Sequence, residues 1–116
     1  MIRVILRRLI IPRGNTGSFT LPLLQTAESG DTAVLSIYDP MYKTVVKQLD
    51  GVIDEENRTV TFEFRREDTI DIEPSDRYQW DVTISHTATS NEDADRVDSY
   101  YAAFTPLPRC EIKEAP

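Results

Sequence analysis

The sequence predicts an all-β fold, an antiparallel β-sandwich of about seven strands. Apolar and polar residues alternate with a period of two in several short segments, most clearly at residues 60–64 and 78–85. Because successive side chains of a strand point to opposite faces of a sheet, these segments predict half-buried strands. Turn-forming residues recur between the strands, and no segment sustains the 3.6-residue apolar period of a helix.

A corner motif narrows this prediction to an immunoglobulin-like sandwich. The spacing of Ile72, Pro74, Ser75 and Tyr78 resembles a tyrosine corner. In that motif a Tyr near the start of a strand donates a hydrogen bond to the preceding loop. Trp80 lies two residues further along the same strand face, so we expect its ring in the core.

The predicted strands follow one another along the chain up to residue 104. Their approximate bounds are 9–13, 19–23, 33–37, 44–49, 60–64, 78–85 and 99–104, with a helical turn at 67–70 and a polar loop at 86–98. Asp and Gly residues favour turns. Asp50-Gly51 is therefore one possible turn after the fourth strand, but the acidic run 54–57 is the better hairpin tip.

The chain length predicts a single domain. A chain of 116 residues suffices for one modest hydrophobic core and is too short for two. We assign residues 1–104 to the sandwich. Residues 105–116 contain Pro106, Pro108 and Pro116 and are predicted to form an extended C-terminal tail.

The charge distribution is uneven along the chain. The net charge of −7 argues against nucleic-acid binding, because phosphate contacts need a basic face. Residues 1–27 nevertheless carry Arg3, Arg7, Arg8 and Arg13 and no acidic residue, whereas the remainder carries 9 basic and 20 acidic residues. Either the basic strand lies beside acidic neighbours of its own chain, or copies associate head to tail.

The N-terminal segment does not have the pattern of a signal peptide. Its apolar runs are three residues long and are interrupted by arginines. No stretch reaches the ~18 apolar residues of a membrane-spanning helix. We therefore expect a protein that is made in the cytoplasm and has no membrane span.

No motif predicts catalysis, a cofactor or a metal centre, so we predict a non-enzymatic protein without a cofactor. Cys110 is the only cysteine, and we expect it to serve as a small apolar residue. Asp93, Asp95 and Asp98 are possible calcium ligands, but their spacing differs from that of an EF-hand. We expect a solvated loop there, and no catalytic, cofactor-binding or metal-ligating residue is predicted.

Read along its whole length, the chain resembles a family of short proteins encoded in prophages of Gram-positive bacteria. The segments that carry the resemblance are Met1-Ile2-Arg3-Val4, residues 9–20, Ile37-Tyr38-Asp39-Pro40, residues 67–74, Tyr78-Gln79-Trp80-Asp81-Val82, residues 99–104 and Cys110-Glu111-Ile112. The loop 86–98 is the least alike. The polar-Gly turn before Phe-Thr and the Pro corner before Tyr-x-Trp-Asp-Val resemble immunoglobulin-like domains of phage tail and baseplate proteins.

The resemblance implies a virion structural or assembly module, of the tail or baseplate, that acts by protein–protein contacts. Its partners would be other virion proteins and copies of itself, after synthesis in the bacterial cytoplasm. A head-decoration or head-fibre protein is an alternative. Another alternative is a carbohydrate-binding module for host-surface attachment, with exposed rings among Tyr38, Tyr42, Tyr100 and Tyr101. A last alternative is an intracellular regulator that binds a host protein.

Overall fold

The fold is all-β, as the sequence predicts. The computed structural model describes residues 2–5, 7–23, 30–87, 95–99 and 108–114. The strands are β1 (Arg3–Ile5), β2 (Arg8–Pro12), β3 (Gly17–Pro22), β4 (Thr32–Asp39), β5 (Thr44–Asp54), β6 (Thr59–Phe64), β7 (Ser75–Thr87), β8 (Asp95–Ser99) and β9 (Arg109–Lys113). One short helix, α1 (Arg66–Thr69), precedes β7.

The strands form two layers joined by one long strand. The hydrogen-bonded order is β1-β2-β9-β7-β4-β5-β6-β3, and β8 pairs with β7. Residues 44–51 of β5 pair with β4, and residues 52–54 pair with β6. The first layer therefore comprises β1, β2, β9, β7, β8, β4 and residues 44–51 of β5, and the second comprises the end of β5, β6 and β3. Among the strands that the structure describes, every pairing is antiparallel except that of β2 with β9.

The core lies between the two layers and is centred on aromatic rings. The ring centroid of Phe19 lies 5.7 Å from that of Phe62 and 6.2 Å from that of Phe64. Trp80 meets Phe19 edge to face at 6.2 Å and is completely buried, which confirms its predicted place. Its indole N–H donates to the backbone carbonyl of Arg7 at 2.9 Å, so the polar atom of the ring is satisfied.

The predicted C-terminal tail is partly wrong. Strand β9 lies between β2 and β7, inside the first layer. Cys110 and Ile112 point into the core and are buried, while Arg109 and Lys113 are exposed. Period-2 burial of two apolar side chains therefore outweighs the nearby prolines, and the sandwich extends to residue 113 rather than ending at 104.

The loop and strand predicted around residue 99 also change. Strand β7 continues to Thr87, and β8 pairs with it from Thr83↔Ser99 to Thr87↔Asp95, so part of the predicted loop 86–98 is a hairpin. Residues 100–104 of the predicted last strand lie outside the described residues. Strand β1 was not predicted, because the turn that separates it from β2 contains Arg7 at φ 68° and no glycine.

Strand β5 runs through the possible turn at Asp50-Gly51. A Cβ atom at Gly51 would lie 2.6 Å from a ring carbon of Phe62, so this glycine permits close packing rather than reversal of the chain. The hairpin tip follows Asp54, as predicted. There the carboxylate of Asp54 accepts hydrogen bonds from the backbone and side-chain nitrogens of Asn57, at 3.1 and 2.8 Å.

Candidate functional site

The tyrosine corner is present. Hydrogen bonds at this corner connect β7, α1 and the turn after β2. The hydroxyl of Tyr78 donates a hydrogen bond to the backbone carbonyl of Glu73 at 2.5 Å, and the ring is buried. Burial raises the pKa of Tyr78 above its ordinary value, so the hydroxyl remains a donor. In α1, the buried hydroxyl of Thr69 accepts from the backbone N–H of Gly14 at 2.8 Å, which ties this corner to the turn after β2.

Beside the corner, a buried carboxylate holds an arginine in place. Nε and Nη2 of Arg77 donate to the two oxygens of Asp39 at 3.1 and 3.0 Å, and the backbone N–H of Met41 donates to Oδ1 at 3.0 Å. Asp39 is only 3 % exposed. The hydrogen bonds from Arg77 lower the pKa of Asp39 despite the opposing effect of burial, so this carboxylate stays ionised.

The guanidinium of Arg77 has further partners. Its central carbon lies 5.0 Å from the ring centroid of Tyr78 and 5.7 Å from that of Tyr42, within the range of a cation–π contact. Nη2 also donates to Glu73 at 3.4 Å. Because its charge is neutralised and both rings are engaged, Arg77 serves to fix the corner and the β4–β5 turn rather than to bind an anion.

A groove of about 480 Å³ opens next to these residues, and we call it the corner groove. The residues that line it are Asp39, Tyr42, Val46, Lys47, Glu67, Asp68, Asp71, Ile72, Glu73, Arg77 and Tyr78. Five of them are acidic and two are basic, a net charge of −3. The corner groove therefore favours a cationic partner.

One wall of the corner groove is held by a second ion pair. Nζ of Lys47 lies 3.0 Å from Oδ1 of Asp68, and Oδ2 of Asp68 accepts from the backbone N–H of Arg65 at 2.7 Å. Burial would raise the pKa of Asp68, but these two partners together outweigh it and lower the pKa. The side chain of Lys47 is thus directed towards α1.

The corner groove also borders an open sheet edge, which we call the β5 edge and define as residues 44–51; Val46 and Lys47 of this edge line the groove. Among the strands that the structure describes, these residues pair only with β4, so the other side of the strand carries no ladder. Met41, Tyr42 and Val45, in and after the β4–β5 turn, are 64 %, 66 % and 50 % exposed. An unpaired edge beside exposed apolar side chains is a typical site of protein association.

The first layer has a second edge at β1. This strand pairs on one side with β2, exposes Arg3 and leaves Ile5 45 % exposed. Two arginines of the basic N-terminal segment form ion pairs with acidic residues of their own chain. Nη2 of Arg8 lies 2.6 Å from Oε1 of Glu111, and Nη2 of Arg13 lies 2.8 Å from Oε1 of Glu114. For these two, the expectation of an acidic neighbour within the same chain is confirmed.

A second groove, of about 540 Å³, lies at the β5–β6 hairpin, and all of its charged lining residues are acidic. It is lined by Asp31, Asp54, Glu55 and Glu56 together with the 73 % exposed Val52 and its neighbours. It is distinct from the corner groove, because no residue lines both. We refer to it as the hairpin groove.

The residues considered from sequence fall in different places. Tyr42 lies on the corner groove, Tyr38 is half-buried in β4, and Tyr100 and Tyr101 lie outside the described residues. Of the possible calcium ligands, Asp95 and Asp98 belong to β8, and Asp93 also lies outside the described residues.

The hydrogen-bonded role of Asp39 escaped the sequence analysis, whereas the place of Cys110 as a small apolar residue was expected. Asp39 and its partner Arg77 are 38 positions apart, so no local pattern in the sequence connects them. Cys110 is fully buried, and burial raises the pKa of its thiol, which keeps it protonated and unreactive.

Comparison with family models, with curated proteins and with solved structures finds no match to this chain. The described part of the chain also contains no helix of the length and hydrophobicity needed to cross a bilayer.

Proposed function

We propose that this protein is a non-enzymatic structural module of a phage virion, of the tail or baseplate, and that it acts through protein–protein contacts. It would be made in the bacterial cytoplasm and incorporated into the particle. The observation that carries the contact role is the β5 edge, which pairs with β4 on one side, has no partner among the described strands on the other, and is flanked by the exposed side chains of Met41, Tyr42 and Val45. The phage context comes from the resemblance noted in the sequence.

The β5 edge is suited to association because it offers two kinds of interaction at once. Unpaired backbone groups accept an additional strand, and exposed apolar side chains contribute buried area when a partner covers them. The edge is also firmly supported. Lys47 is held by Asp68, and the turn before β5 is fixed by the contact of Tyr42 with Arg77. A preorganised edge loses little conformational entropy on binding.

The non-enzymatic assignment is supported by the origin of the altered pKa values. Hydrogen bonds from Arg77 lower the pKa of Asp39. The Arg65 backbone and Lys47 lower the pKa of Asp68. All of these are structural contacts. The thiol of Cys110 is buried in the core. None of these groups is poised for acid–base or nucleophilic chemistry at neutral pH.

Carbohydrate binding is a second candidate, and one observation favours it. The ring of Tyr42 is 66 % exposed and lines the corner groove beside Asp71 and Glu73, whose carboxylates are acceptors for sugar hydroxyls. A glycan array with wild-type protein and with Tyr42→Ala tests this. Saturable binding that is lost in the variant would support attachment to a host surface in place of an assembly role.

The test of the structural proposal is peptide mass spectrometry on virions purified from an induced lysogen that carries this gene. We expect the protein in particles at a small copy number relative to the major capsid protein, as the symmetry of a tail requires. Stoichiometry close to that of the capsid protein would instead indicate a head protein. Absence from virions, with abundant protein in the lysate, would refute the proposal and point to a host target.

The same lysogen shows whether the β5 edge is the contact surface. Particles are compared after complementation with Val45→Lys and with Arg109→Glu. Val45→Lys places a charge on the exposed edge, whereas Arg109→Glu changes an exposed residue in the middle of the sheet. We expect incorporation to be lost in the first variant and retained in the second.

A further inference from the structure

We propose that the chain associates head to tail with a second copy of itself, the β1 edge of one copy adding to the β5 edge of the next. This inference rests on the proposed function as a contact module and names its partner. It concerns the two edges of a single layer. Pairing them would extend the first layer from copy to copy.

The strand directions allow the β1 edge of one copy to pair with the β5 edge of the next when the two copies are related by a translation alone. An assembly of this kind stays open and does not close on itself. Along the first layer, the pairings β1–β2, β9–β7, β7–β4 and β4–β5 are antiparallel, and β2–β9 is parallel. Because each of the four antiparallel pairings reverses the strand direction, β5 runs in the same direction as β1. A second copy displaced sideways therefore places its β1 parallel to the β5 edge of the first, in an open, heterologous arrangement.

The β1 edge is positively charged, and the corner groove beside the β5 edge is negatively charged. The β1 edge exposes Arg3. Val46 and Lys47 of the β5 edge line the corner groove, whose net charge is −3 and which includes Glu67 and Asp71. Lys47 is bound to Asp68, so its charge is already compensated. The incoming arginine thus meets the carboxylates of Glu67 and Asp71, which form no ion pair within the described part of the chain, and this attraction favours the partner and accelerates its encounter.

The apolar exposure of the two edges also matches. Ile5 of β1 is 45 % exposed, and Val45 at the β5 edge is 50 % exposed. Each has more apolar surface in water than a strand residue of the layer interior, where Leu35 and Val82 are fully buried. Pairing the edges would cover both side chains.

Self-pairing of like edges is disfavoured by the same charges. Two β1 edges would bring two positively charged Arg3 side chains close together, and two β5 edges would bring two acidic corner grooves together. Like charges placed opposite each other across strands are destabilising. The expected product is a series of oligomers that grows with concentration, and not a closed symmetric dimer.

The experiment is sedimentation velocity of the full chain over a range of concentrations, at about 0.02 M and about 0.5 M salt, since exposed charges are screened over distances near 10 Å at 0.1 M. We expect the average mass to rise with concentration at low salt and to fall at high salt. Arg3→Glu, and separately Glu67→Lys with Asp71→Lys, should each weaken association by about tenfold or more. Circular dichroism establishes that each variant is folded.

Two matched controls locate the interface. Arg109→Glu makes the same change in charge as Arg3→Glu but lies on β9, and Glu56→Lys reverses an acid of the hairpin groove. Both should associate as the wild type does. A chain that carries Arg3→Glu together with Glu67→Lys and Asp71→Lys exchanges the charges of the two edges, and we expect it to regain association.

A wild-type protein that stays monomeric at high concentration and low salt would overturn the inference. A closed dimer would also overturn it, as would association abolished by Glu56→Lys and not by the corner-groove changes. These results are distinguishable from failure of the proposed function. A monomeric protein that is nevertheless found in virions refutes self-association alone, whereas absence from virions refutes the virion role.

Discussion

The tyrosine corner and the β5 edge border the same groove and are built in opposite ways. At the corner, Tyr78 and Asp39 are buried and their polar atoms are hydrogen-bonded. At the β5 edge, Val45 is half exposed and one side of the strand has no partner among the described strands. Stability and the capacity for contact are thus assigned to neighbouring but separate residues, so that either can be changed without the other.

The largest difference in stability between the two regions is expected when a side chain at the centre of the core is removed. Trp80→Ala deletes a fully buried ring and its hydrogen bond to the Arg7 carbonyl. We expect the free energy of unfolding to fall by about 3–5 kcal/mol, as for other large-to-small core changes, which is much of the stability of a domain this size. Urea denaturation measures the loss. In Val45→Ala, the control at the edge, the change should stay within about 0.5 kcal/mol.

A single hydroxyl group gives the next test. Tyr78→Phe removes the donor to the backbone carbonyl of Glu73 and leaves this acceptor without its partner. We expect a loss of about 1–2 kcal/mol in the free energy of unfolding. The matched control is Tyr42→Phe, which removes the same group from an exposed ring and should leave stability nearly unchanged. Equal effects in the two variants would contradict the assignment of the corner.

The buried ion pair predicts a dependence on pH. Hydrogen bonds from Arg77 lower the pKa of Asp39 in the folded state, so the unfolded chain takes up protons first as the solution is acidified. Stability is then fully present above the unfolded pKa of about 3.9 and is lost as the pH falls through the folded value. Asp54 and Asp68, whose pKa values are also lowered, add to the same trend.

Urea denaturation at a series of pH values from neutral to acid measures this loss. Asp39→Asn should be less stable than the wild type at neutral pH and should show a shallower acid decline. Glu56→Gln, at the exposed hairpin, serves as the control and should follow the wild-type curve. An unchanged acid decline in Asp39→Asn would show that Asp39 contributes nothing to it.

Asp81 offers the smallest and opposite effect. Its Oδ1 atom is buried and has no hydrogen-bond partner among the residues that the structure describes, and burial raises its pKa. A raised folded pKa means that ionisation at neutral pH disfavours the folded state. We expect Asp81→Asn to raise the free energy of unfolding by a few tenths of a kcal/mol at neutral pH, since solvent still reaches part of the side chain. Thermal denaturation detects the difference, which should vanish in acid.

The parts of the fold that sequence patterns predicted are those in which one strand face is buried. The alternation at 60–64 and 78–85 and the spacing from Pro74 to Tyr78 correspond to β6, β7 and the corner. Strand β9 was missed because only Cys110 and Ile112 are buried in it and prolines precede it. Gly51 suggested a turn, although its lack of a side chain serves the packing of Phe62.

The candidate site was less predictable because it depends on distant residues. Asp39 and Arg77 meet only because β4 and β7 are neighbours in the sheet. The corner groove likewise joins β5 to α1 through Lys47 and Asp68. The openness of the β5 edge follows from where β6 begins to pair, at Val52, and no residue pattern in β5 itself encodes that point.

The position of β9 also bears on how the chain acquires its structure during synthesis. This strand separates β2 from β7, and its ion pair from Arg8 to Glu111 joins residues 103 positions apart. Contacts of such long range close late and slow the folding reaction. On the ribosome, β2 and β7 have no neighbour to bridge them until residue 113 has left the exit tunnel. The two strands that pair with β9 therefore keep part of their apolar surface exposed until then, and exposed apolar surface is what chaperones recognise in nascent chains.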